Sequence, residues 1–210
     1  MEDVLDVYQR PYDPERPVVG LDEKPVQLLS DPAGLPARPP APGRVARYDY
    51  RYERGGTANV FCAFEPLGNW RALEVTGRRT KLDFAHFVRS LVDGRYKDAE
   101  RVVLVMDNLN THSPASLYEA FGPEEARRIT AKLEIHYTPR HGSWLNVAEI
   151  ELSALGRRLP HHPPDAVALA AHADAVAAER NAAGAGCDWQ FRAADARIKL
   201  KRLYPSIQVR

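Results

Sequence analysis

The chain has 210 residues, 44% of them hydrophobic and 27% charged, which is enough to bury a core in one compact domain with a small appendage. Lysine plus arginine exceed aspartate plus glutamate by one, 29 against 28, so composition alone does not announce a nucleic-acid partner. Apolar stretches break well before the length of a membrane span and Met1-Glu2-Asp3 is no basic targeting segment, so the expectation is a cytoplasmic protein without a membrane partner.

Val18-Val19-Gly20-Leu21-Asp22-Glu23-Lys24 is a short apolar run ending in charge and reads as a buried strand with Asp22 at its carboxyl end. From Asp31 to Gly43 there are five prolines and two glycines, so a Pro-rich surface loop over 31–47 follows. Tyr48, Tyr50 and Tyr52 alternate with polar residues as in a half-covered strand, and Gly55-Gly56 reads as a turn into a strand over Thr57–Phe64. Another strand is expected over Trp70–Val75, completing an antiparallel meander. Thr80 can cap the next helix, whose Phe84, Phe87, Val88 and Leu91 recur at helical spacing.

Val102 to Met106 is continuously apolar, the mark of a central strand covered on both faces, and it ends at Asp107. Helices are expected over Pro114–Phe121 and Glu124–Leu133, a strand over Glu134–Thr138, and a long helix over Ser143–Leu159 that Pro160 stops. His161-His162-Pro163-Pro164 then forms a loop, Asp165–Asn181 an alanine-rich helix, and Ala193–Leu203 a last one, giving a helical part over 165–210. Cys62 and Cys187 have no ligand spacing and read as two buried thiols. The tail from Arg192 carries Arg197, Lys199, Lys201, Arg202 and Arg210 against Asp195 alone and can meet either phosphates or solvent. The element order implies an α/β fold: a mixed five-stranded sheet flanked by helices, the ribonuclease-H-like plan.

In that plan two aspartates stand at the ends of neighbouring strands about 4.8 Å apart, and a helix beginning soon after the last strand carries Glu149. Three carboxylates converging without a basic residue between them repel one another unless a divalent cation sits among them. Their hard oxygens suit magnesium, or manganese in its place. Two such ions, about 3.5 to 4 Å apart, can serve an in-line displacement at phosphorus. Glu151 competes with Glu149 for the third place. Leu145, Ala148, Leu152, Leu155 and Leu159 form one apolar stripe with the two glutamates on opposite flanks. Asn146 and Ser153 share the Glu149 flank, a polar strip able to face phosphate, whereas Trp144 and Arg158 accompany Glu151; this favours Glu149. Trp144 is expected to pack against the sheet. His161 and His162 read as loop residues.

Three stretches, Val18 to Lys24, Val103-Leu104-Val105-Met106-Asp107-Asn108-Leu109-Asn110-Thr111-His112, and Tyr137-Thr138-Pro139-Arg140-His141-Gly142-Ser143-Trp144-Leu145-Asn146-Val147-Ala148-Glu149, closely resemble the bacterial insertion-sequence transposases of the mariner superfamily. The likeness runs on through Thr57–Pro66 and Asp195–Pro205. It implies that Asp22, Asp107 and Glu149 form a catalytic triad holding two magnesium ions. It further implies cleavage of DNA at transposon inverted-repeat ends and strand transfer into target DNA, by a homodimer assembled on DNA. Lys24, Asn108, His112, Arg140, His141 and Asn146 are candidates for contacting DNA or supporting the carboxylates.

Relatives usually carry helix-turn-helix domains ahead of the catalytic strand, and the strand at Val18 leaves no room for them; a separate DNA-recognition chain would then supply specificity. A truncated, inactive remnant that binds DNA or a partner transposase is one alternative. A stand-alone ribonuclease-H-like nuclease is the other, since a carboxylate cluster does not encode its substrate.

Overall fold

The chain opens with a helix, α1 (Glu2–Tyr8), that sequence reading passed over; its seven residues are too few to show a helical period, yet Val4, Leu5, Val7 and Tyr8 are all buried. The structure is a computed structural model and describes residues 1–30, 40–45, 53–159 and 163–204. Tyr48, Tyr50, Tyr52, His161, His162, Arg210 and most of the expected Pro-rich loop lie outside those residues.

Five strands, β1 (Val18–Ser30), β2 (Glu53–Glu65), β3 (Trp70–Thr76), β4 (Val102–Met106) and β5 (Leu133–Tyr137), form one sheet in the order β3-β2-β1-β4-β5. The β1–β2 and β2–β3 pairs are antiparallel, and β1–β4 and β4–β5 parallel. This mixed sheet is the ribonuclease-H-like arrangement the sequence predicts. Helices cover both faces, as the continuously buried β4 requires. On one side Phe84, Phe87, Val88 and Leu91 of α2 (Lys81–Asp93), with residues of α3 (Pro114–Ala120) and α4 (Pro123–Ala131), pack on Val19, Leu21 and Phe61. On the other, α1, α5 (Ala148–Arg158), α6 (Ala166–Ala182) and α7 (Ala193–Lys199) cover Val60, Cys62, Phe64, Val103 and Val105.

Three expectations are corrected. β1 does not stop near Asp22 but runs on to Ser30, paired with β2 along most of its length, so Asp22 is an interior strand residue. Gly55-Gly56 is no turn: both lie inside β2, where the register passes from Gln27↔Thr57 to Leu29↔Arg54, leaving the two glycines opposite Leu28 alone. That is a β-bulge, with Gly56 at φ +92°, a value glycine adopts without cost. The helix expected from Ser143 is interrupted: a 3-10 turn over Ser143–Leu145 gives way to extended backbone at Asn146, and α5 begins at Ala148. Cys62 is buried as expected, while Cys187 is only half-buried, and both thiols are free. No helix among the described residues is long and apolar enough to cross a membrane.

Candidate active site

Parallel pairing of β1 with β4 ends at Gly20↔Val105. Asp107 stands just past the end of β4, and because side chains alternate along a strand, Asp22 projects on the same side of the sheet as Gly20. It is the side α5 covers. A Cβ built on Gly20 would lie 2.6 Å from Val147 Cγ1 and 3.0 Å from the Ala148 nitrogen, so only glycine lets the start of α5 sit this close to β1. Asn146 completes the junction: its Nδ2 donates to the Leu21 carbonyl at 2.8 Å and its Oδ1 accepts from the Ala148 N–H at 3.2 Å. Glu149, partly exposed, follows in the first turn of α5, its N–H bonded to the Asn146 carbonyl. Asn146 itself is buried, so it braces the site from within instead of facing phosphate as its flank of the helix suggests.

The electrostatics register this proximity. Burial pushes the Asp22 carboxyl up to about 7, and the charges of Glu23, Asp107 and Glu149 push the same way against the Glu23 N–H that donates to Oδ1 at 2.8 Å. Hard carboxylate oxygens whose charges disfavour ionisation of the buried Asp22 are a donor set that a divalent cation suits. Among the described residues, though, no three His, Cys, Asp or Glu side chains are drawn close enough together to hold a metal.

Asp107 is held below the ordinary carboxylate range, first by its hydrogen bond with His112. His112 Nδ1 lies 2.6 Å from Asp107 Oδ1, and the Leu109 N–H donates to the same oxygen at 3.2 Å. His112 is buried against Phe84, its ring centroid 5.0 Å away, and its Nε2 is 2.8 Å from Glu23 Oε2, a close charge contact without hydrogen-bond geometry. Burial is the largest influence on this imidazole and opposes its charge, but Asp107 and Glu23 together outweigh it and raise the pKa to about 9. His112 thus lies between two carboxylates, those of Asp107 and Glu23. Glu23 escaped sequence reasoning because alternation turns it to the opposite face from Asp22, where only the folding of the 108–112 loop brings His112 to it.

Lys24, Asn108, Arg140 and His141 are exposed. Lys24 Nζ lies 3.0 Å from the position a Cβ on Gly156 would take, so its side chain runs along α5. His141 has φ 60° in the tight loop that the Gly142 N–H closes onto the Pro139 carbonyl at 2.8 Å. Trp144 is not a core residue: it is 42% exposed and stands edge-on to Phe191, whose ring has Lys199 Nζ at 5.7 Å. In the basic tail Arg197 is paired with Glu2 at 2.6 Å. Glu151, the rival of Glu149, is buried among arginines. A cavity of about 430 Å³ lies by Pro17, before β1, lined by Tyr12, Glu65, Arg95 and Tyr96 and by none of the three acidic residues above.

A mixed sheet in the order β3-β2-β1-β4-β5, with Asp22 in β1, Asp107 just past β4 and a glutamate-bearing helix alongside, defines a ribonuclease-H-like protein. The sequence model of the family described as DDE superfamily endonuclease matches residues 17–167, and the chain belongs to that family. No curated protein matches it. Among solved structures, the Mos1 transposase paired-end complex with left transposon end is similar at 15% identity and a TM-score of 0.47, over 90% of this chain and 61% of that one. The Mos1 mariner paired end complex with Mn shares 16% identity at a TM-score of 0.45, over 88% and 60% of the two chains. The Mos1 Strand Transfer Complex shares 16% at 0.43, over 90% and 60%. The chain thus spans about three fifths of the length of these solved chains.

Proposed function

We propose that the chain is the catalytic domain of a mariner-superfamily transposase, in which Asp22, Asp107 and Glu149 hold two magnesium ions, replaceable by manganese, for cleavage of transposon ends and strand transfer into target DNA. The observation that carries this reading is the close seating of the start of α5, which bears Glu149, on Gly20 and Leu21 of β1, beside the strand that leads into Asp107. Membership of the DDE superfamily endonucleases supports it.

Bound among these oxygens, the ions would supply activation of the attacking oxygen and neutralisation of charge at the leaving oxygen. The chain's own side chains orient and hold. His112 and the Leu109 N–H both engage Asp107 through Oδ1, which fixes the carboxylate and leaves Oδ2 outside both contacts. Gly20 and Asn146 set how closely the first turn of α5, and with it Glu149, approaches β1. The exposed Lys24, Asn108, Arg140 and His141 are available to backbone phosphates, contacts that position DNA without reading its sequence. Transposition joins two ends, so a homodimer on DNA is part of the proposal.

Nicking of supercoiled plasmid with magnesium or manganese, comparing wild type with Asp107→Asn and Glu149→Gln, tests it. Each substitution is expected to lower the rate roughly a thousandfold, the equivalent of several kcal/mol of lost charge stabilisation. Absence of metal-dependent nicking, or equal nicking by all three proteins, overturns the reading. Strand transfer of a pre-cut transposon end separates a transposase from a stand-alone nuclease of the same fold.

A further inference from the structure

One buried charged cluster has no part in the chemistry above. The Glu151 side chain is 2% exposed and is gripped by two guanidinium forks. Arg180 Nε and Nη2 donate to Oε2 and Oε1, each at 2.7 Å, and Arg71 Nε and Nη2 donate to the same two oxygens at 3.1 and 3.4 Å. Arg71, itself 1% exposed, comes from β3, and Arg180 from the last turn of α6. Asn181 accepts from the Arg71 N–H and Nη1 and donates to the Arg71 carbonyl, and Arg71 Nη2 also donates to the Ala185 carbonyl. One carboxylate thereby ties α5, α6 and β3 together.

Desolvation makes such a cluster expensive: burial pulls Arg71 below its ordinary value, and apolar side chains could fill the same space without that cost. What apolar packing cannot supply is direction. The stripe of Leu152 and Leu155 permits α5 small rotations about its axis, whereas two planar forks on one carboxylate do not. Glu151 follows Glu149 by two residues, about 200° around the helix, so pinning one flank sets the bearing of the other.

We infer that the Arg71–Glu151–Arg180 cluster is a positioning device for the metal site, locking the rotation of α5 so that Glu149 points at Asp22. This rests on the reading of Glu149 as a metal ligand. Arg180 lies beyond the 17–167 stretch that matches the family, so the C-terminal part of the chain acts on the catalytic rim through it.

Manganese binding to the full chain, measured by calorimetry with Glu149→Gln alongside, decides the matter. Arg180→Gln is the informative variant, because Arg180 is 20% exposed and Arg71 still neutralises Glu151. It is expected to unfold cooperatively like wild type but to bind manganese roughly tenfold more weakly, as losses in the shell behind a metal ligand do. Arg180→Lys keeps the charge without the fork and should fall between the two. Wild-type manganese affinity in a folded Arg180→Gln with a lowered melting temperature reduces the cluster to a stability element and overturns the inference. Should Arg180→Gln fail to fold, Arg180→Lys carries the decision, with wild-type affinity again overturning it. No manganese binding by wild type, or equal binding by Glu149→Gln, removes the metal-site reading itself and this inference with it.

Discussion

The carboxamide of Asn146 reaches across 2.8 Å to the carbonyl of Leu21, joining the residue before Asp22 to the segment that leads into Glu149. The same side chain accepts the Ala148 N–H, and it is 1% exposed, so water cannot take over either contact. Asn146→Ala is expected to cost about 1–3 kcal/mol in urea unfolding, the range for leaving buried partners unsatisfied. Asn146→Asp can accept from Ala148 but cannot donate to Leu21, so metal-dependent nicking should stay below wild type. Full activity in the aspartate variant would show that the tie to β1 is dispensable.

Gly20 imposes the matching constraint from the strand side. Gly20→Ala places a methyl group 2.6 Å from Val147 Cγ1 and 3.0 Å from the Ala148 nitrogen, which pushes the start of α5 off β1. Overpacking of this kind costs about 1–3 kcal/mol. Adding Val147→Ala removes the shortest of these contacts, so the double variant should regain part of the stability, a non-additivity measurable in a double-mutant cycle. Nicking should remain depressed, because the backbone clash persists.

Without metal, folded Asp22 keeps its proton up to about 7 against an ordinary value of 3.8. Between those values the folded state binds more protons than the unfolded one, so this residue makes stability fall as pH rises through the window. Asp22→Asn should remove that fall. Thermal melts of the metal-free proteins at pH 4 to 8 check it: a wild-type profile parallel to that of the variant would exclude the effect.

His112 works over a higher window. Its folded pKa of about 9 against 6.5 means that its charge contributes stability fully present below 6.5 and lost as pH rises through 9. Glu23→Gln removes one of the two carboxylates beside the ring and should lower the His112 pKa, observable by NMR titration, and shrink the loss of stability between those values. An unmoved imidazole titration would mean that Asp107 alone holds the charge.

What the sequence determined by itself were features whose causes lie within a few residues of one another. The unbroken apolar run of β4 predicts a central strand because every residue there must be covered. Thr80 caps α2, with the Thr80 N–H bonded to Asp83 at 2.7 Å, because a capping box is a four-residue affair. The place of Asp107, just past the end of β4, was legible for the same reason. Tertiary structure decided the rest. Nothing local separates Glu149 from Glu151 conclusively; the arginines that occupy Glu151 come from 80 residues before it and 29 after it. Asn146 is read locally as one more polar helix residue, yet a bond to a carbonyl 125 residues earlier ends the 3-10 turn and starts α5 afresh. Gly55-Gly56 suits a turn as well as a bulge, and only pairing with the long β1 selects the bulge. Propensity and periodicity act over neighbouring residues, whereas strand register and buried charge pairing are settled by which remote surfaces the fold presses together.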